Sequence, residues 1–138
     1  MSGGLAFAVK ERVAGATIVG CNHELSPALA HSLERGEAVA RLPAVETAAG
    51  GIEGGIGRKT FEVLRSRVDR VALVSEAELF EAVRFTFEAH QYLIETSAAA
   101  GVAACLTGKA GKLEGPAVVV LTGRNVSLDT LRRILQSA

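Results

Sequence analysis

Residues 117–125 read Ala117-Val118-Val119-Val120-Leu121-Thr122-Gly123-Arg124-Asn125. A short apolar run, rich in β-branched valine, stops at a hydroxyl and a glycine. Such a run predicts a strand covered on both faces, as in a parallel sheet. In open α/β sheets, ligands gather beyond the carboxyl ends of the strands. Thr122 and Gly123 therefore stand where a ligand would sit, and the hydroxyl can reach a heterocycle nitrogen or a phosphate. A plainer role is open to the same segment: Thr122 and Asn125 can cap the final helix, which the pattern places from about Leu128 to Leu135.

Working outward, two further strands are expected, at Thr17–Cys21 (TIVGC) and at Val71–Val74. Helical segments separate them. Gly4–Val13 is helix-compatible, although no capping residue precedes it. Ser26-Pro27 opens a helix, serine as cap and proline at the first helical position, and Gly36 closes it. Phe61–Leu64 lies in a short helix. Ser75-Glu76-Ala77-Glu78 is a capping box, followed by Leu79, Val83 and Phe87 at core-facing spacing. An alanine-rich helix covers about Ser97–Leu106. Strands alternating with helices predict an α/β fold of three layers, a mostly parallel sheet with helices on both faces. Residues 1–138 read as a single domain of ordinary size.

Hydrophobic residues make up 49% of the chain, enough for a core. Lys plus Arg and Asp plus Glu both number 15, so net charge gives no case for nucleic acid or an anionic membrane. The local clusters Arg65–Arg67–Arg70 and Arg132–Arg133 read as solvated helix faces. Cys21 and Cys105 sit in apolar surroundings and read as small buried hydrophobes in a reducing compartment. No signal peptide or bilayer-spanning run is legible, so a cytoplasmic setting is expected. His23, His31 and His90 lack metal-ligand spacing, and no metal site is expected.

Ala48–Gly57 (AAGGIEGGIG) is dense in glycine. It is either a flexible loop or a backbone that must approach a ligand closely. Glu95 lies between the apolar Leu93-Ile94 and Thr96-Ser97-Ala98. It can serve as a helix-start cap or as a carboxylate facing a pocket.

Four stretches, in this order and spacing, carry a resemblance: Glu46-Thr47-Ala48-Ala49-Gly50-Gly51, Val71-Ala72-Leu73-Val74-Ser75-Glu76, Leu93-Ile94-Glu95-Thr96-Ser97-Ala98, and Val119-Val120-Leu121-Thr122-Gly123-Arg124-Asn125. The chain resembles, over nearly its whole length, the C-terminal half of fold-type II pyridoxal-phosphate enzymes, the group of threonine dehydratase and serine racemase. The resemblance implies pyridoxal phosphate as cofactor. It implies Thr122 at the pyridine nitrogen, Glu95 and Gly51 near the ring, and Gly123 beside them. It also implies that the Schiff-base lysine and the phosphate-cradling loop lie upstream of Met1. Lys10, Lys59, Lys109 and Lys112 match no Schiff-base position.

Departures from the family pattern accompany the match. Arg124 replaces a glycine, Thr96 a proline and Gly50 an aspartate. Asn22 and Ala28 stand where many relatives hold a cation, which implies that the family's metal site is lost. These departures point to a divergent branch, similar to the hydroxyectoine-utilisation dehydratases. Two functions follow as expectations. One is the C-terminal portion of a dehydratase releasing ammonia from a hydroxy-amino acid, inactive alone and completed by a homo-oligomeric partner or a lysine-bearing N-terminal half. The other is a non-catalytic module that folds and oligomerises or binds a ligand.

Overall fold

β1 (Val19–His23) and β2 (Arg70–Val74) pair in parallel, Val19 opposite Arg70 and His23 opposite Val74. The computed structural model describes residues 1–137, and among these the sheet has two strands. Side chains alternate across it. Val19, Cys21, Ala72 and Val74 face one core, built mainly by α4 (Glu76–His90), α5 (Ala100–Leu106) and α6 (Leu128–Gln136). Ile18 and Val71 face a second core with α1 (Ser2–Arg12), α2 (Ala28–Arg35) and α3 (Arg58–Leu64). Helices thus cover both faces of a parallel sheet, the α/β architecture expected. At Gly20 a Cβ would come within 2.8 Å of Leu29, so glycine there lets α2 lie close on β1.

The helix starts are partly as the sequence suggests. The Ser75 box is present: its hydroxyl accepts from the Glu78 amide at 3.3 Å, and the Glu78 carboxylate accepts from the Ser75 amide at 2.7 Å. Burial pushes the Glu78 carboxyl up, but hydrogen bonds from Lys109 and Ser75 outweigh it and hold the group below its ordinary range. Ser26, by contrast, does not cap α2. Its hydroxyl accepts from the Gly54 amide at 2.8 Å. Asn22 Oδ1 takes the cap's work, accepting from Leu29 and Ala30 at 3.0 and 3.3 Å. Gly36 closes that helix at φ 72°, a left-handed conformation suited to glycine.

Three expectations need correction. Phe87 does not face the core; it is 47% exposed while Leu79 and Val83 are buried. Each step of four residues drifts about 40° around a helix of 3.6 residues per turn, so two steps carry Phe87 off the buried stripe. Neither Thr122 nor Asn125 caps α6, because Ser127 does so through the Thr130 amide. Third, Ala117–Leu121 forms no strand among the described residues. Val119 alone packs inward, so close to Gly101 of α5 that a Cβ there would meet it at 2.8 Å. Val118 is 89% exposed and Val120 and Leu121 are also exposed. The segment has the pattern of a two-faced strand, but only Val119 is even half-covered.

Cys21 and Cys105 are both free and packed at the margin of the larger core. Burial, and secondarily the nearness of Cys105, pushes the Cys21 thiol up to about 11. It therefore stays protonated near neutrality and behaves as a small hydrophobe. No helix among the described residues is long and apolar enough to cross a membrane.

Candidate functional site

Ile94 is fully buried and anchors the turn in which Glu95 precedes a short 3-10 helix, Thr96–Ala99. The backbone on either side of Glu95 runs beside residues 123–125. The Glu95 amide donates to the Gly123 carbonyl at 3.1 Å, and Glu95 Oε2 accepts from the Asn125 amide at 3.0 Å. A carboxylate is thereby latched across the end of the 117–121 segment.

Two glycines border this carboxylate. A Cβ on Gly123 would lie 2.7 Å from the Glu95 carboxyl carbon and 2.7 and 2.8 Å from its oxygens. A Cβ on Gly51 would lie 2.8 Å from Ser97 Oγ and 3.9 Å from Glu95 Oε1. The Gly51 amide donates to Ser97 Oγ at 2.8 Å. The structure thus brings Gly51, Glu95 and Gly123 together, as a patch of exposed backbone around one acid. Thr122 adjoins them in the chain. Its side chain is exposed and engages no protein partner among the described hydrogen bonds.

Arg124 turns away from the acid. Its Nε donates to the Leu93 carbonyl at 3.2 Å and its guanidinium stacks on Tyr92, 5.5 Å from the ring centroid. It makes no ion pair with Glu95, so the charge of the carboxylate is left for another donor. The lysines are mostly committed elsewhere. Lys10 pairs with Asp69, Lys109 with Glu78 and Lys112 with Glu114. Among the described residues no three His, Cys, Asp or Glu converge as metal ligands.

Sequence reasoning missed Ser97, read only as the first residue of an alanine-rich helix. A hydroxyl two residues beyond a candidate acid was the available signal. Sequence reasoning also named Thr47, Glu76 and His23 separately but not their convergence, because they are far apart in the chain. Glu76 accepts from Thr47 Oγ1 at 2.5 Å and from the Ala48 amide at 2.8 Å, tying the glycine-rich loop to the start of α4.

The family model described as "Pyridoxal-phosphate dependent enzyme" matches residues 1–123. A putative threonine dehydratase of Sinorhizobium fredii is 32% identical over 98% of this chain and 41% of its own length. An L-threonine ammonia-lyase of Thermotoga maritima is 32% identical over 96% of this chain and 33% of its own. The chain therefore spans about two fifths or less of these relatives. Among solved structures, a threonine deaminase of T.th. superposes with TM-score 0.83 at 32% identity, covering 91% of this chain and 46% of that one. Maize serine racemase superposes with TM-score 0.85 at 27% identity, covering 97% and 42%.

Proposed function

This chain belongs to the pyridoxal-phosphate-dependent enzymes, and from that premise we propose that residues 1–138 form the C-terminal domain of a threonine/serine dehydratase-like ammonia-lyase. The substrate class is a small hydroxy-amino acid, and the setting is cytoplasmic. The observation that carries the reading is the Glu95 carboxylate, latched to Asn125 and bordered by Gly51 and Gly123 where no side chain fits.

These residues fit the ring side of the family's cofactor. The two glycines let Glu95 and Ser97 pack directly against the backbone at the edge of the site. The Thr122 hydroxyl is free to bond the pyridine nitrogen, and a neutral partner there leaves that nitrogen unprotonated. Glu95 accepts a hydrogen bond or a proton at its carboxylate, kept from Arg124 by the Tyr92 stack. When bound, pyridoxal phosphate supplies the electron sink for breaking bonds at the substrate's α carbon, and the protein supplies orientation.

The reactive lysine, on this reading, comes from an N-terminal half, and the seam runs along the uncovered face of Ala117–Leu121. An exposed, uncharged apolar segment invites cover from another chain or segment. A homo-oligomer is the other source of cover. A second reading for the chain by itself is a non-catalytic module, in keeping with Lys10 and Lys109 each being paired with a carboxylate.

Co-expression with the part of the Sinorhizobium fredii relative that this chain does not cover tests the proposal. Ammonia release from L-threonine or L-serine is expected from the pair and from neither piece alone. Amide exchange at Val118–Leu121 should slow on pairing by about tenfold or more, as unpaired strand amides become protected. A stable pair that leaves those amides fast and releases no ammonia would remove both the seam and the lyase assignment.

A further inference from the structure

At the carboxyl ends of the two strands a buried histidine, a helix-start glutamate and a loop threonine meet. His23 is 1% exposed and ends β1. Its Nδ1 accepts from the Leu25 amide at 3.2 Å, which puts the ring proton of the neutral imidazole on Nε2. That atom is buried without a hydrogen-bond partner and faces Glu76 Oε2 at 3.4 Å. Glu76 is the first residue of α4, where the helix dipole favours an anion. A helix-start acid needs nothing more, yet both Glu76 oxygens turn off the helix into the loop. Oε2 accepts from Thr47 Oγ1 at 2.5 Å and Oε1 from the Ala48 amide at 2.8 Å. Thr47 Oγ1 in turn accepts from the Ala49 amide at 2.9 Å.

The far side of the same loop is tied to the same turn. The Gly54 amide donates to Ser26 Oγ, three residues beyond His23, at 2.8 Å. Both legs of the loop are therefore fastened to the end of β1 and the start of α4. Gly50 and Gly51 form its tip, and the tip touches the candidate site through the Gly51 amide and Ser97 Oγ.

We propose that His23, Glu76 and Thr47 are positioning residues, a clasp that sets where the Gly51 backbone lies relative to Glu95. This deepens the function proposed above and rests on its reading of Gly51 as cofactor-facing. Glu76 connects the sheet end to the loop, Thr47 passes the contact on to Ala49, and the buried His23 ring fills the space behind Glu76, its Nε2 3.4 Å from Oε2. The clasp acts on the site only through the loop backbone.

The test is residue-resolved amide exchange on the full chain. Thr47→Val keeps the shape and removes the hydroxyl. Exchange at Ala48, Ala49 and Gly51 should rise about tenfold, the equivalent of roughly 1.4 kcal/mol, with the slowest core amides of α4 unchanged. Thr47→Ser should restore the rates, and Glu76→Gln should reproduce the Thr47→Val pattern. Ser97→Ala should free Gly51 alone. Unchanged loop exchange in both Thr47→Val and Glu76→Gln overturns the clasp, and so does a rise spread evenly over the whole chain. A nitrogen spectrum of His23 with the proton on Nδ1 overturns its part. Adding pyridoxal phosphate as probe keeps the two readings apart. A shift at Gly51 that Thr47→Val abolishes supports the clasp, and one that persists unchanged overturns the positioning. Should the unmodified chain show no shift at Gly51, that counts against the cofactor-facing reading, while the exchange rates still decide the clasp.

Discussion

Gly123→Ala will drive Glu95 out of the site while leaving the fold nearly intact. The new methyl would stand 2.7–2.8 Å from the carboxyl carbon and both oxygens of Glu95, closer than real Cβ contacts come. What it meets is the far end of a flexible side chain, so Glu95 swings aside at a rotamer cost of about 0.5–1.5 kcal/mol. The Asn125 amide loses its carboxylate but lies at an exposed contact, where water replaces it. Thermal unfolding should therefore move little. In the protein completed by a lysine-bearing half, pyridoxal-phosphate affinity should fall by about tenfold to a hundredfold, the equivalent of roughly 1–3 kcal/mol for a lost polar partner. Glu95→Ala should match it, and combining the two should add nothing further, since both remove one group. Undiminished affinity in Gly123→Ala would take Glu95 out of the site.

With Thr122 at the pyridine nitrogen as proposed, Thr122→Ala should cost a similar amount, again about 1–3 kcal/mol, the penalty for an orphaned polar group. Thr122→Ser keeps the hydroxyl and should be nearly silent. Thr122→Asp should be worse than alanine for elimination, since a carboxylate draws a proton onto the nitrogen. The fold sharpens this experiment. α6 takes its cap from Ser127, whose hydroxyl accepts from the Thr130 amide at 3.1 Å. Removing the Thr122 hydroxyl should thus leave the unfolding midpoint alone, whereas Ser127→Ala should lower stability by about 1 kcal/mol and leave cofactor affinity unchanged. The reverse pattern, with Thr122→Ala lowering stability and sparing affinity, would return Thr122 to a capping role.

Much of the fold is legible in the sequence because it rests on local chemistry. The Ser75–Glu78 box, the Gly36 closure and the Val71–Val74 strand each need only neighbouring residues, whereas the strand expected at Thr17–Cys21 lies two residues later, at Val19–His23. Ala117–Leu121 misleads for a physical reason. A continuous apolar run reports that both faces want cover, and not whether the cover is within the same chain. Phe87 misleads because a strict four-residue spacing drifts off a helix face. The candidate site is legible in outline through Gly51, Glu95 and Gly123, which the structure brings together. Its supports are not. Asn22 capping α2 from seven residues away, Ser97 holding Gly51, and Glu76 holding Thr47 depend on distances that only the folded chain creates.

On the function proposed, this domain supplies the ring side of a pyridoxal-phosphate site and takes its reactive lysine from elsewhere. Its most direct test is borohydride reduction with pyridoxal phosphate, read by peptide mass spectrometry. In the isolated chain, Lys10, Lys59, Lys109 and Lys112 should share only scattered, substoichiometric label. In the completed protein, one label per site should fall on the lysine of the N-terminal half. A single lysine of this chain carrying one label per molecule, with no partner present, would contradict the account.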